Sequence, residues 1–94
     1  MKDPRVYILA DKPRGSLYTG VTSEPKKRVF EHKSKLFSGF TAKHDIDKLV
    51  WFEGHDSMES AIHRKKALKR WRREWKLQLI ELRNPDWKDL YAAI

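Results

Sequence analysis

Four side chains near the start of the chain could act together in one chemical site. They are Tyr7, Tyr18, Arg28 and His32. The planar, permanently charged guanidinium of an arginine binds phosphate oxygens and stabilises developing negative charge, and a histidine exchanges protons near neutral pH. Arg28 and His32 are four residues apart, so a helix would place them on one face. Alternatively, the four residues are ordinary strand tyrosines and solvated helix residues.

A predicted β-hairpin would bring the two tyrosines together. The turn at Asp11–Ser16 is flanked by two β-rich runs, VYIL and LYTGV, which is typical of a hairpin. If the hairpin is symmetric about Lys12–Pro13, Tyr7 lies directly opposite Tyr18 on one face of the sheet. Gly20 has no side chain, and we expect it to leave that face open beside the tyrosines.

The rest of the chain predicts helices and one more strand. A helix should begin near Ser23, carry Arg28 and His32, and end at Gly39. A polar connection at Phe40–Asp47 and a third strand at Leu49–Glu53 should follow. A long helix is then predicted, starting after a cap at Asp56 or Ser57 and continuing through Leu82, with a bend near Arg70–Trp71 where its apolar stripe shifts. The expected fold is an α/β sandwich, a small antiparallel three-stranded sheet flanked by helices.

Composition limits the classes of protein to consider. Ninety-four residues fit one domain, expected to span residues 1–94, and the absence of cysteine excludes disulfides and thiolate metal sites. The first residues lack the apolar run of a signal peptide, and no stretch approaches membrane-spanning length. We therefore expect a cytoplasmic protein without a membrane partner. Lys and Arg outnumber Asp and Glu by 21 to 13, a balance that favours polyanionic partners.

The strongest concentration of positive charge lies on the long predicted helix. Arg64–Lys76 contains eight cations and one anion, Glu74, a net charge of +7 in thirteen residues. This segment is either a basic helix face in solvent or a track for a nucleic-acid backbone. Trp71 and Trp75 are interleaved with the cations, but their helical spacing favours the core over base stacking. The candidate nucleic-acid-binding residues are Lys43, Lys65, Lys66, Lys69, Arg70 and Arg73.

The tyrosine motifs also carry a family resemblance. The chain reads VYI and LYTG, with the tyrosines eleven residues apart and Arg28 ten residues beyond the second. This arrangement resembles the GIY-YIG nuclease domain. The later segments LVWFE, the Arg/Lys/Trp-rich helix and NPDWKDLY resemble the small stand-alone bacterial branch of that family, so the resemblance covers nearly the whole chain. VYI and YTG depart from the signature tripeptides, but each keeps its tyrosine.

The resemblance implies an endonuclease that hydrolyses nucleic-acid phosphodiesters. In such a site, Tyr7, Tyr18 and His32 would organise the attacking water and its proton, and Arg28 would hold the phosphate. A divalent ion, Mg²⁺ or Mn²⁺, would support the leaving oxygen. The implied partner is nucleic acid, with DNA expected before RNA.

One position contradicts the metal-dependent mechanism. The family carries a glutamate on the long helix, in a context like A-x-x-R-E-K, that binds the metal ion. This chain reads AIHRKK from Ala61, which places Lys65 at the position of that glutamate. Helix geometry points Lys65 inward, towards the side that carries Leu68. A cationic amine cannot serve as a metal ligand, and neither Glu53 nor Glu59 is an obvious substitute, so metal binding by this chain is in question.

Three functions therefore stay open at the level of sequence. The first is a GIY-YIG endonuclease. The second is a non-catalytic nucleic-acid-binding module in which Lys65 holds a phosphate without activating water. The third is a protein-interaction domain whose basic helix contacts an acidic partner.

Overall fold

The strands and the longer helices follow one another in the predicted order, and a short helix lies within the predicted polar connection at Phe40–Asp47. The computed structural model describes residues 3–36 and 39–94. The elements are β1 (Arg5–Ala10), β2 (Leu17–Thr22), α1 (Pro25–Lys33), α2 (Phe40–Lys43), β3 (Lys48–Gly54), α3 (Met58–Arg70), α4 (Arg73–Arg83) and a final 3₁₀ turn (Tyr91–Ala93). The strands form an antiparallel sheet in the order β2-β1-β3. The expected fold class, an α/β arrangement around a small antiparallel sheet, is confirmed.

The sheet is covered on both faces, and the central strand shows why. Val6 and Ile8 of β1 belong to a core shared with α3 and α4, where they meet Leu68 and Ile80. Tyr7 and Leu9 point to the opposite face, into a second core. Successive side chains of a strand alternate between faces, so a strand that is apolar on both faces requires two layers of cover. Burying each large apolar side chain stabilises the fold by about 1.5–3 kcal/mol.

The register of the hairpin differs from the predicted one by two residues. Tyr7 pairs with Gly20, and Tyr18 pairs with Leu9. The turn closes between Asp11 and Ser16, whose backbone amide donates to the Asp11 carboxylate at 2.8 Å. The hairpin is therefore centred one residue later than Lys12–Pro13. A shift of two residues keeps each side chain on its original face, so the two tyrosines lie diagonally on one face.

Gly20 is necessary for a reason other than the predicted one. It does not leave an open face, because the ring of Tyr7 lies directly over it. A Cβ atom at position 20 would lie 2.5 Å from both Cζ and Oη of Tyr7. Glycine is therefore the residue that allows the Tyr7 ring to pack onto β2.

Helix α1 is shorter than predicted. Lys35 takes a left-handed conformation with φ of 54°. The backbone amides of Lys35 and Leu36 then donate to the carbonyls of His32 and Glu31, both at 3.1 Å, which is the pattern of a Schellman cap. The prediction that the helix continues to Gly39 is wrong, since this cap ends it before. Leu36 of the predicted apolar stripe is exposed, and Phe37 lies outside the described residues.

The predicted bend in the long helix is confirmed as a break between α3 and α4. Trp71 and Arg72 both have extended backbones, with ψ of 149°. The Ser57 hydroxyl caps α3 by accepting from the Ser60 amide at 3.1 Å. Asn84 ends α4, and its buried amide donates to the backbone carbonyl of Val50 at 3.1 Å, so its contacts are structural. In the described part of the chain, no helix is long and apolar enough to cross a membrane.

Candidate functional site

Three aromatic rings meet beside β2, the edge strand of the sheet. The ring centroids of Tyr7 and Tyr18 are 6.4 Å apart. His32 of α1 lies 5.9 Å from Tyr7 and 5.4 Å from Tyr18, centroid to centroid. The prediction that both tyrosines share one face is confirmed, and the histidine that follows Arg28 by one helical turn lies with them.

Hydrogen bonds connect these rings to a residue that the sequence did not single out. The Tyr7 hydroxyl lies 3.1 Å from Nε2 of His32, and Nδ1 of His32 lies 3.2 Å from Oγ1 of Thr41. All three residues are buried, with exposed fractions of 2%, 6% and 9%. Thr41 lies in α2, within the stretch predicted to be a polar connection. No sequence signal distinguishes this threonine from its polar neighbours, so only its contact with His32 in the fold identifies it.

Burial determines the protonation of this buried chain of hydrogen bonds. Burial raises the pKa of Tyr7 well above its ordinary value, and the nearby Tyr18 phenol adds to the effect. Burial also lowers the pKa of His32, and the Arg28 charge lowers it further. At neutral pH, Tyr7 is therefore a neutral phenol and His32 a neutral imidazole. A neutral imidazole donates from one ring nitrogen and accepts at the other, so it can link Tyr7 to Thr41.

Arg28 supplies positive charge on the α1 side of the rings. Its guanidinium is half-buried, and its charge affects the pKa of both Tyr7 and His32. It lines a cleft of about 250 Å³ on the outer side of α1. The other residues around this cleft are Thr22, Glu24, Lys27 and Glu31. A guanidinium close enough to affect the pKa of Tyr7 and His32 is well suited to bind a phosphate oxygen at the site.

Helix α3 supplies positive charge from the other side of β2. The ammonium of Lys69 lies 5.9 Å from the centroid of the Tyr18 ring, within cation–π range. Lys65 lies one helical turn earlier and is half-buried. Burial lowers the pKa of Lys65, and the charges of Lys69 and Lys66 lower it further. Lys65 has no ion-pair or hydrogen-bond partner among residues 3–36 and 39–94.

The residues around the site do not fit a divalent metal ion. Lys65 carries an ammonium, which cannot serve as a metal ligand. Glu53 is already engaged, because Nε of Arg64 donates to it at 3.1 Å and Nε2 of His55 lies 2.8 Å from it. In the part of the chain that the structure describes, no three or more His, Cys, Asp or Glu side chains are arranged to hold a metal.

The other predicted nucleic-acid contacts fall into two groups. Lys66 and Arg70 are exposed and line a groove of about 500 Å³ along the outer side of α3, and Lys43 is exposed on α2. Arg73 is different, because its guanidinium donates to the backbone carbonyl of Gly15 at 2.7 Å. This hydrogen bond connects the hairpin turn to α4. Arg73 therefore has a structural role that the charge pattern did not predict.

One of the two tryptophans is also placed differently from the prediction. Trp71 packs against the core, as expected. Trp75 was expected there as well, but 49% of its surface is exposed. The break between α3 and α4 rotates the second stripe relative to the first, so helical spacing alone gave the wrong orientation for Trp75.

Comparison with known proteins agrees with this geometry. A family model described as the GIY-YIG catalytic domain matches residues 4–78. The chain belongs to the GIY-YIG family. The resemblance inferred from the two tyrosine motifs is thereby confirmed, and the chain is a nuclease-like domain.

Relatives of this GIY-YIG domain match it over most of their length. It is 33% identical to a UPF0213 protein of Haloquadratum walsbyi over 81 residues, which are 86% of this chain and 91% of the relative. It is 39% identical to a UPF0213 protein of Syntrophus aciditrophicus over 82 residues, 86% of this chain and 92% of the relative. The solution NMR structure of a UPF0213 protein from Bacillus halodurans aligns with a TM-score of 0.57 at 29% identity, and covers 93% of this chain and 92% of its own. These relatives agree with the expected small stand-alone branch.

Proposed function

We propose that this GIY-YIG domain binds a nucleic-acid phosphodiester between α1 and α3, and that it hydrolyses the bond slowly and without response to divalent metal. The observation that carries the proposal is the set of cations around the buried Tyr7–His32 pair. Arg28 lies on one side, and Lys65 and Lys69 lie on the other. A phosphate between them would receive charge from both helices.

Lys65 supports phosphate binding because no residue in the described part of the chain forms an ion pair or hydrogen bond with it. A half-buried ammonium is costly unless an anion neutralises it. Lys69 and Lys66 add repulsion to this cost, which a phosphate oxygen would relieve. Position 65, where the family carries a metal-binding glutamate, would thus supply positive charge through the lysine side chain itself instead of through a bound metal ion.

The buried hydrogen bonds limit what chemistry the site can perform. Tyr7 is a poor general base, since burial opposes its phenolate form. It can still orient a water molecule, accept a proton from it and pass its own proton to Nε2 of His32, 3.1 Å away. Arg28 would stabilise the charge that develops on the phosphate. As the water oxygen bonds to phosphorus, the bond from phosphorus to the leaving oxygen breaks, and the proton that water has given to the imidazole passes to that oxygen.

A second candidate function is binding without hydrolysis. Lys65 favours it, since an ammonium neutralises a phosphate oxygen but cannot generate hydroxide near neutral pH as a metal ion does. The two candidates share the ligand and differ only in whether the bond breaks. DNA is the expected ligand, before RNA.

The test is a paired binding and cleavage assay. Labelled DNA and RNA are incubated with the protein in Mg²⁺, in Mn²⁺ and in chelator. Binding is followed by fluorescence anisotropy, and products are resolved on denaturing gels. We expect binding in all three conditions, with cleavage that is slow or absent and does not depend on the metal. Arg28→Ala should weaken binding, whereas Lys12→Ala, a loss of charge on the exposed hairpin turn, serves as the matched control.

Two results would contradict the proposed function. Fast cleavage that requires Mg²⁺ or Mn²⁺ would refute the proposal, because it would require a metal ligand close to the buried Tyr7–His32 pair. Absence of any nucleic-acid binding would leave the third possibility, a basic surface for an acidic protein.

A further inference from the structure

An apolar groove with a basic rim lies on α4, immediately after the break between the two helices. The rings of Trp71 and Trp75 meet edge to face, with centroids 6.1 Å apart and an interplanar angle of 84°. With Gln78, Leu79 and Leu82 they line a groove of about 270 Å³. Leu82 is 83% exposed and Trp75 is 49% exposed, so much of this aromatic and aliphatic surface faces solvent.

The charges beside the groove indicate what kind of ligand it fits. The guanidinium carbon of Arg72 lies 5.6 Å from the centroid of the Trp75 ring, and that of Arg64 lies 5.3 Å from Trp71. Arg72 has no acidic partner among the described residues. A ligand for this surface should combine flat apolar faces with negative charge. Unpaired nucleotides have both properties, since their bases stack on aromatic rings and their phosphates pair with arginine.

Other cations of α3 are available to the same ligand. Lys69 reaches the Tyr18 ring, with its ammonium 5.9 Å from the ring centroid. Lys66 and Arg70 line a separate groove on the outer side of α3. A nucleic-acid strand long enough to reach from the candidate phosphate site to Trp75 would meet these cations.

We propose that the groove at Trp71 and Trp75 is a stacking subsite for unpaired bases. This inference rests on the proposed nucleic-acid function, and it adds a substrate class. The preferred ligand carries a single-stranded segment next to the phosphodiester that lies between α1 and α3. Bases in a blunt duplex are already stacked and paired, so a duplex cannot present a base face to Trp75.

The experiment compares three DNA ligands with the full chain. They are a blunt duplex, the same duplex with a single-stranded overhang, and the single strand alone, all measured by fluorescence anisotropy at one salt concentration. Trp75→Ala should weaken binding of the overhang and the single strand about tenfold, within the range known for one base–aromatic stack. Binding of the blunt duplex should change less than twofold.

Two further variants separate base stacking from a general apolar contact. Trp75→Phe keeps a flat ring, so it should retain most of the affinity while it reduces the quenching of tryptophan fluorescence by the single strand. Leu82→Ala removes apolar surface from the same groove without removing a ring, and it should change affinity less than twofold. Circular dichroism of each variant shows whether it is folded.

Several outcomes would overturn the inference. If Trp75→Ala weakens all three ligands equally, or none of them, the groove is not a stacking subsite, although the proposed phosphate site stands. If a dimer forms through the groove, sedimentation will show a change of mass that Trp75→Ala abolishes, and the occupant is then a second copy of the chain. If the unaltered protein binds no nucleic acid, both this inference and the proposed function fail.

Discussion

Replacing Lys65 by glutamate tests whether this position decides between the proposed phosphate binding and the metal binding that the family resemblance implies. The side chain is half-buried, and its pKa is lowered by burial and by the charges of Lys69 and Lys66. Lys65→Glu removes this repulsion and places a carboxylate one turn before Lys69, a pairing that favours the helix. We expect the fold to remain intact and metal binding to appear.

The size of each effect can be estimated from the position in α3. Side chains one turn apart have Cβ atoms about 5–6 Å from each other, and unit charges at about 6 Å interact by roughly 0.7–3 kcal/mol between water-like and surface-like dielectric constants. Side-chain entropy and solvent screening reduce this figure, so stability should change by no more than about 1 kcal/mol. A catalytic metal contributes several kcal/mol, and each 1.4 kcal/mol is about tenfold in rate. Metal-stimulated cleavage by the variant should therefore rise by at least about a hundredfold.

The assay measures metal binding, stability and cleavage in the same preparations. Calorimetry with Mn²⁺ reports metal binding, urea unfolding reports stability, and cleavage of a labelled DNA in Mg²⁺, Mn²⁺ or chelator reports activity. Lys66→Glu is the matched control, because it makes the same change of charge one residue later on an exposed position. It should weaken nucleic-acid binding without creating a metal response.

Two results would refute the reasoning about Lys65. A folded Lys65→Glu variant that binds no metal would show that the site lacks more than this one ligand. Strong metal-dependent cleavage by the unaltered chain, abolished by chelator, would show that another carboxylate already holds the ion.

Four further measurements test the remaining contacts. Gly20→Ala should destabilise the fold by about 1–3 kcal/mol in urea unfolding, because its Cβ would lie 2.5 Å from the Tyr7 ring; an unchanged midpoint would contradict this packing. Thr41→Val should cost about 1–3 kcal/mol and alter the imidazole ¹⁵N shifts of His32, whereas Thr41→Ser should restore both. Burial lowers the pKa of His32 in the folded protein. The stability that the neutral imidazole contributes is therefore present above the pKa of the unfolded chain, and it is lost as the pH falls through the pKa of the folded protein. A urea midpoint that does not fall as the pH drops below about 6.5 would count against a buried neutral imidazole. Lys66→Glu should flatten the slope of log affinity against log salt by about one unit, and an unchanged slope would indicate a helix face that only contacts solvent.

Local sequence patterns were sufficient for the three strands, for the longer helices and for the face that the two tyrosines share. The two-residue period of the strands predicted that Tyr7 and Tyr18 share one face of the hairpin, and the same period kept them there when the register shifted by two. Four-residue spacing placed His32 beside Arg28, and the change of apolar stripe predicted the break at Trp71. These features depend on neighbours a few residues away, where backbone geometry alone determines direction.

Tertiary packing decided the contacts that complete the site. The turn hydrogen bonds set the register that places Tyr7 over Gly20, and the Schellman cap at Lys35 ended α1 early. The fold brings the Thr41 hydroxyl to Nδ1 of His32, and Trp75 is exposed because the extended backbone at the break rotates α4. Each of these depends on how elements meet across the fold, and side chains that are distant in sequence have no local pattern that specifies their distance or their burial.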